Sequence, residues 1–198
     1  MNIDAILADG EGPGRTAALV EWIQSLFQDD EAAPVLVGGA AVELYTGGAY
    51  TTGDVDFVGT VTPGVARALR AAGFERHGRH WVHEPAQVFL EFPGSALDPA
   101  ETAAWAEFEG RRIFVVSIED LVVDRLGAWE HWHSSVDGVN ALLLWRAHRE
   151  GIDAERLERR VRQSGWLKAW RSLARFSERW REGEPPAEEV ERWATAGP

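Results

Sequence analysis

The chain has 198 residues, 45% of them hydrophobic, and no cysteine: enough apolar material for one core, with or without a small helical appendage, and no means of forming disulfides, thiolate zinc sites or a cysteine nucleophile. The formal net charge of −12 is unevenly placed, with 10 Lys+Arg against 23 Asp+Glu in residues 1 to 150, 9 against 5 in residues 151 to 182, and 1 against 4 in the last sixteen. An acidic body repels a long polyanion, so extended nucleic acid would dock through the basic segment; with no basic leader and no apolar run of about 18 residues, a soluble, cytoplasmic protein is expected.

In chain order, "RTAALVEWIQSLFQDD" carries Leu19, Val20, Ile23, Leu26 and Phe27 at helical spacing and predicts an amphipathic helix. "APVLV" predicts a short buried strand ending at Gly38-Gly39, "AAVELY" one or two helical turns, and "TGGAYTTG" a loop. "DVDFVG" alternates and predicts a strand, and "TPGVARALRAAGF" a helix with proline at its start and Gly73 at its stop. "RHWVH" and "QVFLEFP" predict two strands joined by "EPA", and "EGRRIFVVS" predicts another. From Ser117, where a Ser-x-x-Asp capping pattern reaches Asp120, nearly everything predicts helix: "SIEDLVVDRLGAWEHW", "VDGVNALLLWRAHREG", "DAERLERRVRQSG", "WLKAWRSLARFSERWRE" and a short terminal one. The order predicts an α+β fold: a small mixed sheet with an N-terminal helix over residues 1–116, and a helical region over 117–198 packed on it.

One strand breaks the usual rules. Asp54 and Asp56 lie in an apolar segment, and residues two apart in a strand share a face, so the carboxylates project together while Val55 and Phe57 point to the core. Two carboxylates that close repel unless a cation joins them, and hard oxygen donors suit Mg²⁺ or Mn²⁺ accompanied by substrate phosphates. Gly38-Gly39, at a strand-to-helix turn, offers backbone N–H groups to such phosphates. Glu91 is a third acid in an apolar strand, between Leu90 and Phe92, and is read either as completing the site or as an exposed charge on an edge strand.

"VGGAAVELYTGGAYTTGDVDFVG" resembles the signature of the polymerase-beta-like nucleotidyltransferase superfamily, most of all its small AbiEii-like bacterial members, several of which belong to toxin-antitoxin systems. "VVSIEDLVVDRLGAW" resembles the start of the helical region in those proteins; by motif the likeness spans residues 34 to 130. The resemblance implies that Gly38 and Gly39 hold a triphosphate. It also implies that Asp54 and Asp56 bind the metals, and that Glu91 completes the site as a further ligand or as the base for the attacking hydroxyl. Its reaction moves a nucleoside monophosphate from an NTP to an acceptor hydroxyl, of a tRNA, a protein or a small antibiotic, in some members with a cognate toxin or antitoxin partner. A departure from the pattern is Gly53, where related sequences often carry a basic or polar residue, and an inert nucleotidyltransferase-fold binding module is the alternative implied.

Other residues admit two readings. Arg125 is either a phosphate contact or half of a surface ion pair, and Thr51 and Thr52 either bind phosphate or sugar or order a loop. His80 and His83, three apart on a strand, face opposite ways and make no shared metal site; His77, His131 and His133 are likewise read as structural. In the last long helix, Trp166, Trp170, Leu173, Phe176 and Trp180 form one face and Lys168, Arg171, Arg175 and Arg179 the other: a packed helix with a solvated basic side, or a docking strip for nucleic acid.

Overall fold

Val55 and Phe57 are buried to 6% and 0% exposure, while Asp54 between them and the loop is exposed, so strand β2 (Asp54–Val58) sends its apolar parity into the core and its acids out. This strand lies mid-sheet in a computed structural model that describes residues 2–27 and 33–198; the last three residues of the predicted first helix, 28–30, fall outside the described residues. The chain divides into two compact units, Met1–Ser117 and Ile118–Pro198.

Among the described residues the first unit carries a seven-stranded mixed sheet. Its strands are β1 (Val35–Val37), β2, β3 (Glu75–His77), β4 (His80–His83), β5 (Val88–Gly94), β6 (Ala103–Phe108) and β7 (Arg111–Val116), in spatial order β3-β4-β5-β2-β1-β7-β6. β1 runs antiparallel to β2 and parallel to β7, and β2 runs parallel to β5. Helices α1 (Ile3–Ala8), α2 (Pro13–Ser25), α3 (Gly38–Tyr45) and α4 (Pro63–Ala71) complete the unit. A buried glutamine seats α2 on the sheet: Gln24 Nε2 donates to the carbonyls of Pro34 (2.9 Å) and Phe114 (2.7 Å), and its Oε1 accepts from the Phe114 amide (3.0 Å). The Thr62 hydroxyl accepts from the Val65 amide and Pro63 opens the helix, which sets the start of α4.

The fold class is α+β, as the order of elements indicates. Two strands escape the sequence reading, and both lie at sheet edges. All three residues of β3 are exposed, and β6 is half alanine, so neither shows the alternation that a strand packed on a core would carry.

The second unit is helical: α5 (Ile118–Trp132), α6 (Ser135–His148), α7 (Ala154–Ser164), α8 (Leu167–Arg179) and α9 (Ala187–Ala196). Buried Asp120 on α5 accepts from Arg156 (2.5 Å) and Arg160 (2.7 Å) of α7, and Glu119 takes the other arm of Arg156 (3.0 Å). The Trp129 indole donates to the Ala194 carbonyl (2.8 Å) and its ring meets Trp193, which ties α5 to α9. Among the described residues no helix is long and apolar enough to cross a membrane.

Candidate active site

The site begins where β1 gives way to α3. Gly38 sits at φ +67°, a left-handed conformation in which a side chain is strained, and a Cβ built there would overlap the Asp56 carboxylate. Antiparallel pairing of Val37 with Asp56 causes this approach, since it brings the strand end and the second aspartate side by side. Gly39 packs on Thr52 less tightly: a Cβ would lie 3.1 Å from the Thr52 hydroxyl, which in turn accepts from the Asp54 amide at 3.3 Å. The Gly-Gly turn, Thr52 and both aspartates therefore form one continuous surface.

Glu91 reaches the same face through the neighbouring strand. In the parallel β2–β5 pair Asp54 lies opposite Phe89 and Asp56 opposite Glu91, so the side chains of Asp54, Asp56 and Glu91 share a side. Leu90, Phe57 and Phe92 lie on the other side, where the two phenylalanine rings stack at 5.5 Å. Just beyond Glu91 the register slips, Val58 pairing with Gly94, so β5 carries an extra residue beside Pro93 and bends at the edge of the site.

Glu91 is engaged by two basic side chains. Arg79 Nε lies 2.7 Å from one carboxylate oxygen and His80 Nδ1 3.5 Å from the other, delivered by the antiparallel pairing of β4 and β5 that sets His80 opposite Glu91. Among the described residues no three His, Cys, Asp or Glu side chains are gathered tightly enough to hold a metal ion. The donor chemistry of Asp54 and Asp56, two carboxylates on one face, still fits Mg²⁺ or Mn²⁺. In such a site Asp54 and Asp56 would be the ligands, and Glu91 would join them on leaving Arg79.

Arg125 takes the ion-pair form. Its guanidinium is bound by Asp124 and, at 2.7 Å, by Asp137. Burial alone would weaken its charge, but the two carboxylates outweigh that and hold it firmly protonated. His83 points away from His80, its Nδ1 accepting from the Ala86 amide and its ring against buried Phe74.

Two residues of this region escape the sequence reading. Arg79 lies outside every motif and becomes relevant only through strand pairing. Glu43 is a buried acid on α3, with 1% exposure, that accepts from the Thr16 hydroxyl at 3.0 Å and from the Thr52 amide at 3.4 Å. Burial pushes its carboxyl above the ordinary glutamate value and nearby Glu11 adds to the rise, while the two hydrogen bonds pull the other way. Its signal was visible in "GGAAVELY", a lone acid in an apolar helical run.

No protein-family model matches the chain, and no curated protein matches it in sequence. Among solved structures it is similar to the antibiotic-resistance factor ANT(2'')-Ia, an antibiotic nucleotidyltransferase, with a TM-score of 0.53 at 15% identity, over 82% of this chain and 97% of that one. The fold is nucleotidyltransferase-like.

Proposed function

We propose that this protein is a metal-dependent nucleotidyltransferase that moves a nucleoside monophosphate from an NTP to an acceptor hydroxyl. The observation that carries the reading is the contact at Gly38: a left-handed glycine whose missing side chain leaves room for the carboxylate of Asp56, on the face that also bears Asp54 and Glu91. A phosphate-binding turn beside paired acids has an evident use when triphosphate and divalent cation arrive together. A scaffold has no use for that expense.

In this reading the amides of the Gly38-Gly39 turn hold the triphosphate, and Thr52 keeps that turn and Asp54 in register. Asp54 and Asp56 hold Mg²⁺ or Mn²⁺, which would stabilise charge on the attacking and leaving oxygens. The acceptor oxygen bonds the α-phosphorus, the bond to pyrophosphate breaks with its electron pair on the leaving oxygen, and the hydroxyl proton passes to a carboxylate, for which Glu91 is the candidate. Arg79, beside Glu91, is a cation within reach of that same face, and it supplies the positive charge that Gly53 does not. Positioning and charge neutralisation supply the rate.

The acceptor reading rests on charge. Lys168, Arg171 and Arg175 are exposed along α8, opposite buried Leu173 and Phe176, which suits a tRNA or other RNA acceptor, as in a nucleotide-transferring toxin with a cognate antitoxin. Likeness to an antibiotic-resistance factor favours instead a small cationic acceptor drawn to acidic unit one. An inert binding module is the second reading, favoured by the Arg79–Glu91 pair.

Labelled NTPs with Mg²⁺, incubated in turn with tRNA, lysate protein and an aminoglycoside, separate these readings. Label should enter one acceptor and be lost in Asp54→Asn. Reversing Lys168, Arg171 and Arg175 to glutamate should cut transfer to RNA and flatten its salt dependence, each lost phosphate contact removing roughly one unit of slope. NTP binding without transfer to any acceptor would leave the inert module.

A further inference from the structure

We infer that Glu43 is a positioning residue, whose buried carboxylate holds the Thr51–Gly53 segment against the Gly-Gly turn and so sets the spacing between that turn and Asp54. The inference rests on the reading of Gly38-Gly39, Asp54 and Asp56 as the nucleotide site. The chain of contacts is short: Glu43 Oε2 accepts from the Thr52 amide, the Thr52 hydroxyl accepts from the Asp54 amide, and the Thr52 side chain fills the space a Gly39 side chain would need. The other oxygen, Oε1, accepts from Thr16 on α2, so the carboxylate is braced from behind by a second element.

Packing does not account for an acid here. The first turn and middle of α3 bury Ala40, Ala41, Val42 and Leu44, and a methionine would fill the Glu43 volume without a desolvation cost. Among the described residues no lysine or arginine forms an ion pair with Glu43. Arg15 faces the same cleft, but its Nη2 donates to the Leu7 and Ala86 carbonyls, and Glu11, the other charged group lining the cleft, is of like sign. Gln87, just before β5, and Thr51 are uncharged polar residues that also line the cleft. A carboxylate kept at such a cost and bonded to the segment that orders the site is a mark of function rather than of scaffold.

The test needs no turnover. Amide hydrogen exchange and amide proton shifts at Thr52 and Asp54 are read in wild type, in Glu43→Met, which removes both acceptor oxygens at similar volume, and in Glu43→Gln, which keeps one oxygen for the Thr52 amide. Exchange at both amides should rise about 10-fold in the methionine variant and return near wild type in the glutamine variant. The wild-type Thr52 amide shift should titrate with a midpoint above the ordinary glutamate value, and the titration should vanish in Glu43→Gln; this readout stands if the methionine variant does not fold. Affinity for ATP with Mg²⁺ should fall in Glu43→Met and recover in Glu43→Gln. Unchanged amides in the methionine variant, a Thr52 shift indifferent to pH, or failure of glutamine to restore exchange would each overturn the role. A wild-type protein that binds no NTP overturns the nucleotide reading instead, while the amide measurements still decide whether Glu43 holds the segment.

Discussion

Asp120 on α5 and Asp54 on β2 are identical side chains in opposite settings. Asp120 is buried, and two arginines meet it at 2.5 and 2.7 Å. Asp54 is exposed, two residues from Asp56 on one strand face, and among the described residues no lysine or arginine forms an ion pair with it. The first charge is answered within the chain, so its removal harms the chain. The second is exposed beside another carboxylate, so water screens it, and in the proposed reading a divalent cation would answer it.

The largest effect should fall on the answered charge. Asp120→Asn leaves Arg160 without its carboxylate in a buried setting and should destabilise the protein by about 3 to 5 kcal/mol, read from denaturant unfolding. The corresponding change on β2, Asp54→Asn, should lower nucleotidyl transfer by on the order of 100-fold or more while leaving the thermal midpoint unchanged or raised, because it relieves repulsion instead of orphaning a cation. A clear loss of stability in Asp54→Asn would erase the distinction between the two regions.

Gly38→Ala sharpens it further. The new Cβ meets the Asp56 carboxylate and is strained at φ +67°, so stability should drop by roughly 1 to 2 kcal/mol and Mg²⁺-dependent NTP binding should disappear in titration calorimetry. The smallest effect concerns pH. The folded carboxyl of Glu43 is raised above 4.5, so the folded state binds its proton more tightly than the unfolded chain does. The stability this adds is present in acid and lost as pH rises through the folded value. Stability of wild type relative to Glu43→Gln should therefore decline as pH climbs above 4.5, seen in paired melts across the acid-to-neutral range.

Much of this was legible along the chain because it is written in local periodicity. The alternation of Val55 and Phe57 with two aspartates determined a strand with an acidic face, Gly38-Gly39 marked the passage from β1 into α3, whose first residues they are, and the spacing of Leu173 and Phe176 against Arg171 and Arg175 determined the amphipathic α8. Neighbours in space were not legible. Arg79 meets Glu91 because β4 pairs with β5, Glu43 meets Thr52 because the helix folds back over the loop that follows it, and the edge strands β3 and β6 exist because a partner strand supplies their hydrogen bonds. Residue types and short spacings encode which way a side chain faces; what it faces depends on strand order and register, which are settled by burial summed over the whole sheet.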